Sequence, residues 1–165
     1  MTANIKFAKV KPDAKIPNKR REDAALDIYA CFDLDWICIE PHTSKLIPTG
    51  IASAFDPSWA IVFRERGSTG VKNMKVNAGV IDSGFRGEYF VSIYNGNNVP
   101  LYITKYMDGE QAPESKDAIL YPYSKAIAQA LIIPVPEVCI EEVSYDELQK
   151  IASERGMGAL GSSNK

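Results

Sequence analysis

Short runs rich in β-branched and aromatic side chains recur at residues 26–31, 36–39, 45–47, 60–63, 89–94, 101–104 and 126–135. They are separated by Pro41, Pro48, Gly50, Pro57, Gly67, Gly70, residues 95–98 and Pro100. Such runs read as strands, because a pleated backbone accommodates branched side chains and Gly or Pro ends it. Within residues 88–95, Tyr89, Val91 and Ile93 alternate with Phe90, Ser92 and Tyr94. That period of two leaves both faces largely apolar and predicts a strand covered on both sides. Ser144, Tyr145, Asp146 and Glu147, followed by Leu148, Ile151 and Ala152, form a capping box that opens about two helical turns. A second short helix is expected after Ser68, around residues 71–73. The pattern predicts an all-β chain with one or two short helices.

Residues 105–123 (KYMDGEQAPESKDAILYPY) break the pattern, being polar, interrupted by Gly109, Pro113 and Pro122, and without sustained period. They read as a long excursion between strands, of the kind that is functional or disordered. The last residues, 155–165, are rich in Gly and Ser, which predicts a mobile arm after a folded domain of residues 1–154. No internal repeat is visible.

Composition narrows the chemistry by exclusion. Lys and Arg number 19 against 21 Asp and Glu, a net charge of −2, so no overall basic field exists to hold nucleic acid by its phosphates. Any bound anion must meet a local basic site. Cys31, Cys38 and Cys139 form an odd set without a C-x-x-C pair, and His42 is the only histidine. Neither a disulfide framework nor a zinc site follows, and a reducing, cytoplasmic setting is expected. The first residues lack an apolar signal-peptide core, and no run approaches the ~20 apolar residues of a membrane span.

Residues 77–88 contain the sharpest local feature. Val80 and Ile81 enter a hairpin, Ser83 and Gly84 can turn, Gly87 lets the backbone leave closely packed, and Asp82 sits at the tip. On its own such an aspartate is either a turn carboxylate bonding its own backbone or a functional acid. Arg66 beside GSTG and Arg155 beside GMG are either solvated charges or anion contacts, glycines being the residues that let backbone N–H groups approach an anion closely.

Taken in order, five segments resemble the motifs of the trimeric dUTPase family, in a phage- or bacterial-like variant. They are residues 23–30 (DAALDIYA), 66–70 (RGSTG), 79–88 (GVIDSGFRGE), 127–129 (IAQ) and 155–163 (RGMGALGSS). The resemblance covers nearly everything except the 105–123 insertion. It implies a distorted jelly-roll-like barrel of the β-clip type, assembled as a homotrimer with sites shared between subunits. The implied reaction is Mg²⁺-dependent hydrolysis of dUTP to dUMP and pyrophosphate, which limits uracil incorporation into DNA and supplies dUMP.

The same resemblance implies the roles of individual residues. Asp82 deprotonates the water that attacks the α-phosphorus, and Gln129 contacts that water or phosphate. Arg66, Gly67, Ser68, Arg155, Gly161 and Ser162 contact the phosphates. Asn77, Gly79 and Val80 read uracil, Phe85 packs against deoxyribose and Leu160 covers the base, while Asp27 lies near Mg²⁺ through water. This chain departs from the family at Ala25, where glycine is usual, at Gly67, which displaces the motif-two serine to Ser68, and at Phe85, where Tyr is usual. Ser124 and Ala126 replace Gly and Arg, while Ala159 and Leu160 replace Gly and Phe. The Leu160 change implies a weaker lid and a raised Michaelis constant.

Two rival readings carry tests. A dCTP deaminase shares the fold and a stretch like residues 81–85, but needs a glutamate base ten residues past the aspartate, where this chain has Ser92. Alternatively, the scaffold is regulatory, with a protein partner docking on the 105–123 insertion through Tyr106, Met107, Tyr121 and Tyr123.

Overall fold

In the computed structural model, which describes residues 2–113 and 117–157, the apolar runs become strands. Chain order is β1 (Ile5–Lys9), β2 (Leu26–Tyr29), β3 (Trp36–Ile39), β4 (Ser44–Pro48), β5 (Ile51–Phe55), β6 (Trp59–Arg64), α1 (Gly67–Gly70), β7 (Met74–Asn77), β8 (Val80–Ile81), β9 (Phe90–Asn95), β10 (Leu101–Thr104), β11 (Ile119–Pro122), β12 (Ala126–Pro134) and α2 (Tyr145–Lys150). The sheets run β1-β5, β11-β10-β3, β2-β12-β6-β8 and β4-β9-β7, and none closes on itself. The chain is therefore all-β with two short helices. Contacts divide it into two compact units, Met1–Val135 and Pro136–Lys165. Among the described residues no helix is long and apolar enough to cross a membrane.

The core of the first unit is built by alternation. Ile28, Ile39, Ile61, Phe63, Ile103 and Ile127 are each no more than 1% exposed, and burying one such side chain stabilises by about 1.5–3 kcal/mol. On β9 the alternation separates two faces. Val91 and Ile93 are fully buried, with Val91 opposite Ile47 of β4. Phe90 on the other face is 45% exposed, as is its neighbour Leu46 of β4 at 62%. Cover on both sides was expected. Among the described residues this strand is covered fully on one side only, with Phe90 and Leu46 left exposed on the other.

Further expectations are corrected by the chain's own hydrogen bonds. The short helix lies at Gly67–Gly70, ahead of residues 71–73. Arg66 N–H donates to Thr69 Oγ1 at 2.9 Å and Thr69 N–H returns to Arg66 O at 3.1 Å, so helical winding starts at Arg66. Asn73, with φ of 54°, stops it. Residues 77–88 are not one hairpin, because β7 pairs with β9 whereas β8 pairs with β6. The segment instead crosses from one sheet to another.

The 105–123 excursion ends early. Residues 119–122 form β11, parallel to β10, with Pro122, which has no N–H to donate, at the strand end where that loss is tolerated. Tyr121 is 1% exposed and donates its hydroxyl to Ala126 O at 2.6 Å, so it is a core residue and cannot anchor a partner. Tyr123 packs edge-on against Phe32, with centroids 4.9 Å apart. Met107 remains open at 43% exposure.

The predicted capping box is present at α2. Ser144 Oγ accepts from Glu147 N–H at 3.2 Å, and the Glu147 carboxylate accepts from Ser144 N–H at 3.0 Å. The Ser144 hydroxyl, donating to the Glu147 carboxylate at 2.7 Å, and then the Ser144 N–H hold the Glu147 carboxyl below its usual range. The helix spans Tyr145–Lys150, close to the two turns expected, and ends where Ile151 is extended, with ψ of 123°.

Candidate active site

Two strands and a loop bring three separated motifs to one cleft. Gln129, in the middle of β12, stands opposite Asp27 of β2 on one side and Arg64 of β6 on the other. Beyond Arg64 the chain leaves the sheet through Glu65 and Arg66 into α1. Gln129 Nε2 pins that exit by donating to Glu65 O at 2.7 Å, and the Glu65 carboxylate accepts from Val76 N–H at 2.9 Å. Partial burial pushes the Glu65 carboxyl upward, but its backbone hydrogen bonds, with Arg64 and Lys75 nearby, bring it net below the usual range. The loop is therefore tied to two sheets.

That exit aims Arg66 across the sheet at Asp27. Arg66 Nε donates to Asp27 Oδ1 at 2.8 Å and Nη2 to Oδ2 at 3.3 Å, a two-point pairing, and Nη1 reaches Ser68 Oγ at 3.2 Å. The side chains remain 29% and 34% exposed, so both stay open to a ligand. A cleft of about 650 Å³ is lined by Asp27, Arg66, Gly67, Ser68 and Gln129, with Lys19, Arg20 and Asp23 on its rim. A Cβ placed on Gly67 meets nothing within 4 Å. Five of the expected site residues thus come together.

Lys19 and Arg20 carry local positive charge that was not foreseen, although the run KRR at residues 19–21 was visible. Arg20 pairs with Asp23 at 2.9 Å. Its hydrogen bonds hold the Asp23 carboxyl below its usual range.

Motif three lines a second, smaller cleft of about 310 Å³, with Val80, Ile81, Asp82, Phe85, Glu88 and Phe90 around it. No residue lines both clefts. Asp82 sits on a tight turn closed by Phe85 N–H to Asp82 O at 3.1 Å. Its carboxylate has no hydrogen-bond partner among the described residues. Arg86 braces the turn through Ser83 O at 2.5 Å and Phe85 O at 3.1 Å, while Glu88 accepts from Gly50 N–H at 2.8 Å. Val80 and Phe85 are 65% and 45% exposed.

Leading into that cleft, Asn77 Nδ2 donates to Ser44 Oγ at 2.9 Å. Gly79 adopts φ of +111° with its carbonyl accepting from Phe63 N–H at 2.8 Å. Only glycine adopts that backbone without strain, and a Cβ there would stand 3.0 Å from Phe63 Cβ. Arg155 lies in the second unit, and Leu160, Gly161 and Ser162 lie outside the described residues.

The dUTPase family model matches residues 12–107. The deoxyuridine 5'-triphosphate nucleotidohydrolase of Clostridioides difficile is 31% identical over 163 residues, 96% of each chain. That of Bordetella avium is 32% identical over 146 residues, 86% of this chain and 83% of its own.

Among solved structures, the Staphylococcus bacteriophage 80alpha dUTPase with dUpNHpp superimposes with a TM-score of 0.74 at 19% identity, covering 99% of this chain and all of that one. A dUTPase variant from phage phi11 of S. aureus, whose structure reveals the coordination of a structural Mg(II) ion, gives 0.66 at 16% identity over 87% of this chain and 99% of its own. These likenesses show a common jelly-roll-like fold, here with the barrel left open. Sequence match, shared fold and ordered motifs converge: the chain belongs to the dUTPase family.

Proposed function

We propose that this chain hydrolyses dUTP to dUMP and pyrophosphate, with Asp82 as the general base. The observation that carries the reading is the convergence of Asp27, Arg66, Gly67, Ser68 and Gln129, from three separated segments, on one cleft. A triphosphate of about four negative charges needs convergent donors, and Arg66 with the rim residues Lys19 and Arg20 supplies them. Asp82, exposed and unpartnered among the described residues, is free to take a proton from water. Gln129 gives one N–H to Glu65 O, leaving a second N–H and a carbonyl oxygen for the water or phosphate. Phe85 and Val80 offer apolar surface to sugar and base, backbone groups of residues 77–80 read uracil, and Arg155 with Leu160, Gly161 and Ser162 closes over the bound nucleotide.

Asp27 suits Mg²⁺ held through water. One carboxylate suffices for an ion that keeps several waters and shares the phosphates, and no cluster of three or more His, Cys, Asp or Glu among the described residues offers a protein cage. When bound, the ion offsets phosphate charge. The Arg66–Asp27 pair would then exchange partners, the guanidinium turning to phosphate and the carboxylate to the ion's water shell.

A homotrimer with shared sites is supported by two features. The motif-three cleft and the cleft of motifs one, two and four have no lining residue in common, and Leu46 and Phe90 leave an apolar sheet face uncovered. The test of the reading is pyrophosphate release across dUTP, UTP, dTTP and dCTP with Mg²⁺. Hydrolysis confined to dUTP is expected, whereas no pyrophosphate from dUTP, with ammonia detected in a parallel assay on dCTP, would move the chain to the deaminases.

A further inference from the structure

We propose that Gly87 and Tyr89 set the plane of the Phe85 ring and thereby determine how strictly the site excludes a ribonucleotide. The inference rests on the reading of Phe85 as the surface against which the sugar packs. Gly87 is not among the residues with positive φ, so its backbone would accept an alanine. What it provides is space. A Cβ on Gly87 would stand 2.6 Å from Phe85 Cζ and 2.9 Å from Cε2, inside any carbon–carbon contact distance. Those atoms are the far end of a ring that is 45% exposed, so a methyl group there displaces the ring and spares the fold.

Tyr89 bounds the ring on the other side. The two ring planes lie 14° apart with centroids at 6.1 Å, an offset-stacked pair. Tyr89 cannot yield, because it is fully buried and meets Phe63 edge-on at 5.8 Å. Its hydroxyl is hydrogen-bonded to Ser53, and its backbone N–H donates to Ile51 O at 2.8 Å while its carbonyl accepts from Thr49 Oγ1 at 2.7 Å. An exposed ring thus takes its orientation from the core. Since an apolar pocket rejects an added hydroxyl by only about a hundredfold even when well shaped, exclusion of a 2′-OH depends on where that ring stands. Gly87 and Tyr89 are positioning residues, acting through Phe85.

The experiment measures binding of dUpNHpp and its ribose counterpart by calorimetry with Mg²⁺, beside pyrophosphate release from dUTP and UTP. Gly87→Ala is expected to keep a near-native melting temperature and to lower the deoxyribose-to-ribose affinity ratio by about tenfold. In a Phe85→Leu background, which lacks the Cζ and Cε atoms, adding Gly87→Ala changes the ratio by less than about twofold. Tyr89→Leu lowers the ratio and Tyr89→Phe, which keeps the ring, does not. This second pair decides the matter should Gly87→Ala misfold. A ratio unmoved by Gly87→Ala, or an equal loss with and without the Phe85 ring, overturns the proposal. If the unaltered protein binds both analogues but releases no pyrophosphate from dUTP, the proposed function fails while the binding ratios still decide this inference. If it binds neither, both fail.

Discussion

Replacing Asp82 with asparagine isolates proton transfer from everything else the residue does. Asparagine has the same shape but cannot accept the water's proton. The substitution disturbs little locally, because the Asp82 carboxylate has no hydrogen-bond partner among the described residues. The turn is held by the backbone bond from Phe85 N–H to Asp82 O and by Arg86, both of which survive. A surface change that breaks no such feature alters stability by at most about 0.5 kcal/mol, a shift of about 1–2 °C for a domain of this size. Loss of a positioned base, in contrast, lowers turnover by about 10² to 10⁴, which is about 2.7–5.5 kcal/mol of barrier.

The assay is steady-state pyrophosphate release beside thermal melting and dUpNHpp affinity. The expected result is a large fall in kcat with melting temperature and analogue affinity nearly unchanged. A kcat close to the unaltered value would refute the assignment. So would a drop of many degrees in melting temperature, since it would make Asp82 a structural residue.

Other outcomes follow from the same geometry. Arg66→Ala removes the two-point contact to Asp27 and a phosphate donor, and is expected to raise KM for dUTP by about tenfold or more; an unchanged KM would exclude Arg66 from phosphate binding. At dUTP well below KM, mixing Asp82→Asn and Arg66→Ala chains after brief unfolding should give more turnover than the two variants measured separately and summed, because hybrid trimers contain sites with both residues intact. No recovery in verified mixed trimers would mean that each site is built from one chain. Glu65 has a lowered folded-state pKa, so its stabilising contribution is present above its unfolded value of about 4.3 and is lost as pH falls through the lower folded value. Glu65→Gln should accordingly flatten the acid limb of a melting-temperature titration. Truncation after Glu154 should abolish turnover while leaving the assembly seen by light scattering intact.

The parts of the fold that were legible in sequence are those where composition and burial agree. Runs such as WICI at β3 and LYIT at β10 are almost entirely branched or aromatic and became strands with the expected bounds. The β1–β5 pair was not legible, because IKFAK carries two lysines and IASAF is mostly small. What makes them strands is their pairing, Ile5 opposite Phe55 and Lys9 opposite Ile51, across a sequence gap that no local pattern spans. Phe90 and Leu46 show the converse. Pattern shows that they are apolar, yet among the described residues they stay exposed.

The site divides in the same way. Asp27, Arg66 and Gln129 were identifiable through motif resemblance, whereas the pairing of Arg66 with Asp27 across 39 residues is a property of sheet register. Gly87 was readable only as a close-packing glycine. That its missing side chain makes room for the Phe85 ring required coordinates.

The connection after β10 has a practical consequence. Both of its ends are fastened by backbone bonds, Lys105 N–H to Asp35 O at 2.9 Å and Tyr123 N–H to Thr104 O at 2.7 Å, with β11 locked in parallel against β10. Lengthening a loop whose ends are already fixed is inexpensive, at about 0.6 kcal/mol per doubling. The stretch around Gly109 is therefore a natural socket, where an epitope, a fluorophore-bearing peptide or a surface tether can be grafted without rewiring either cleft.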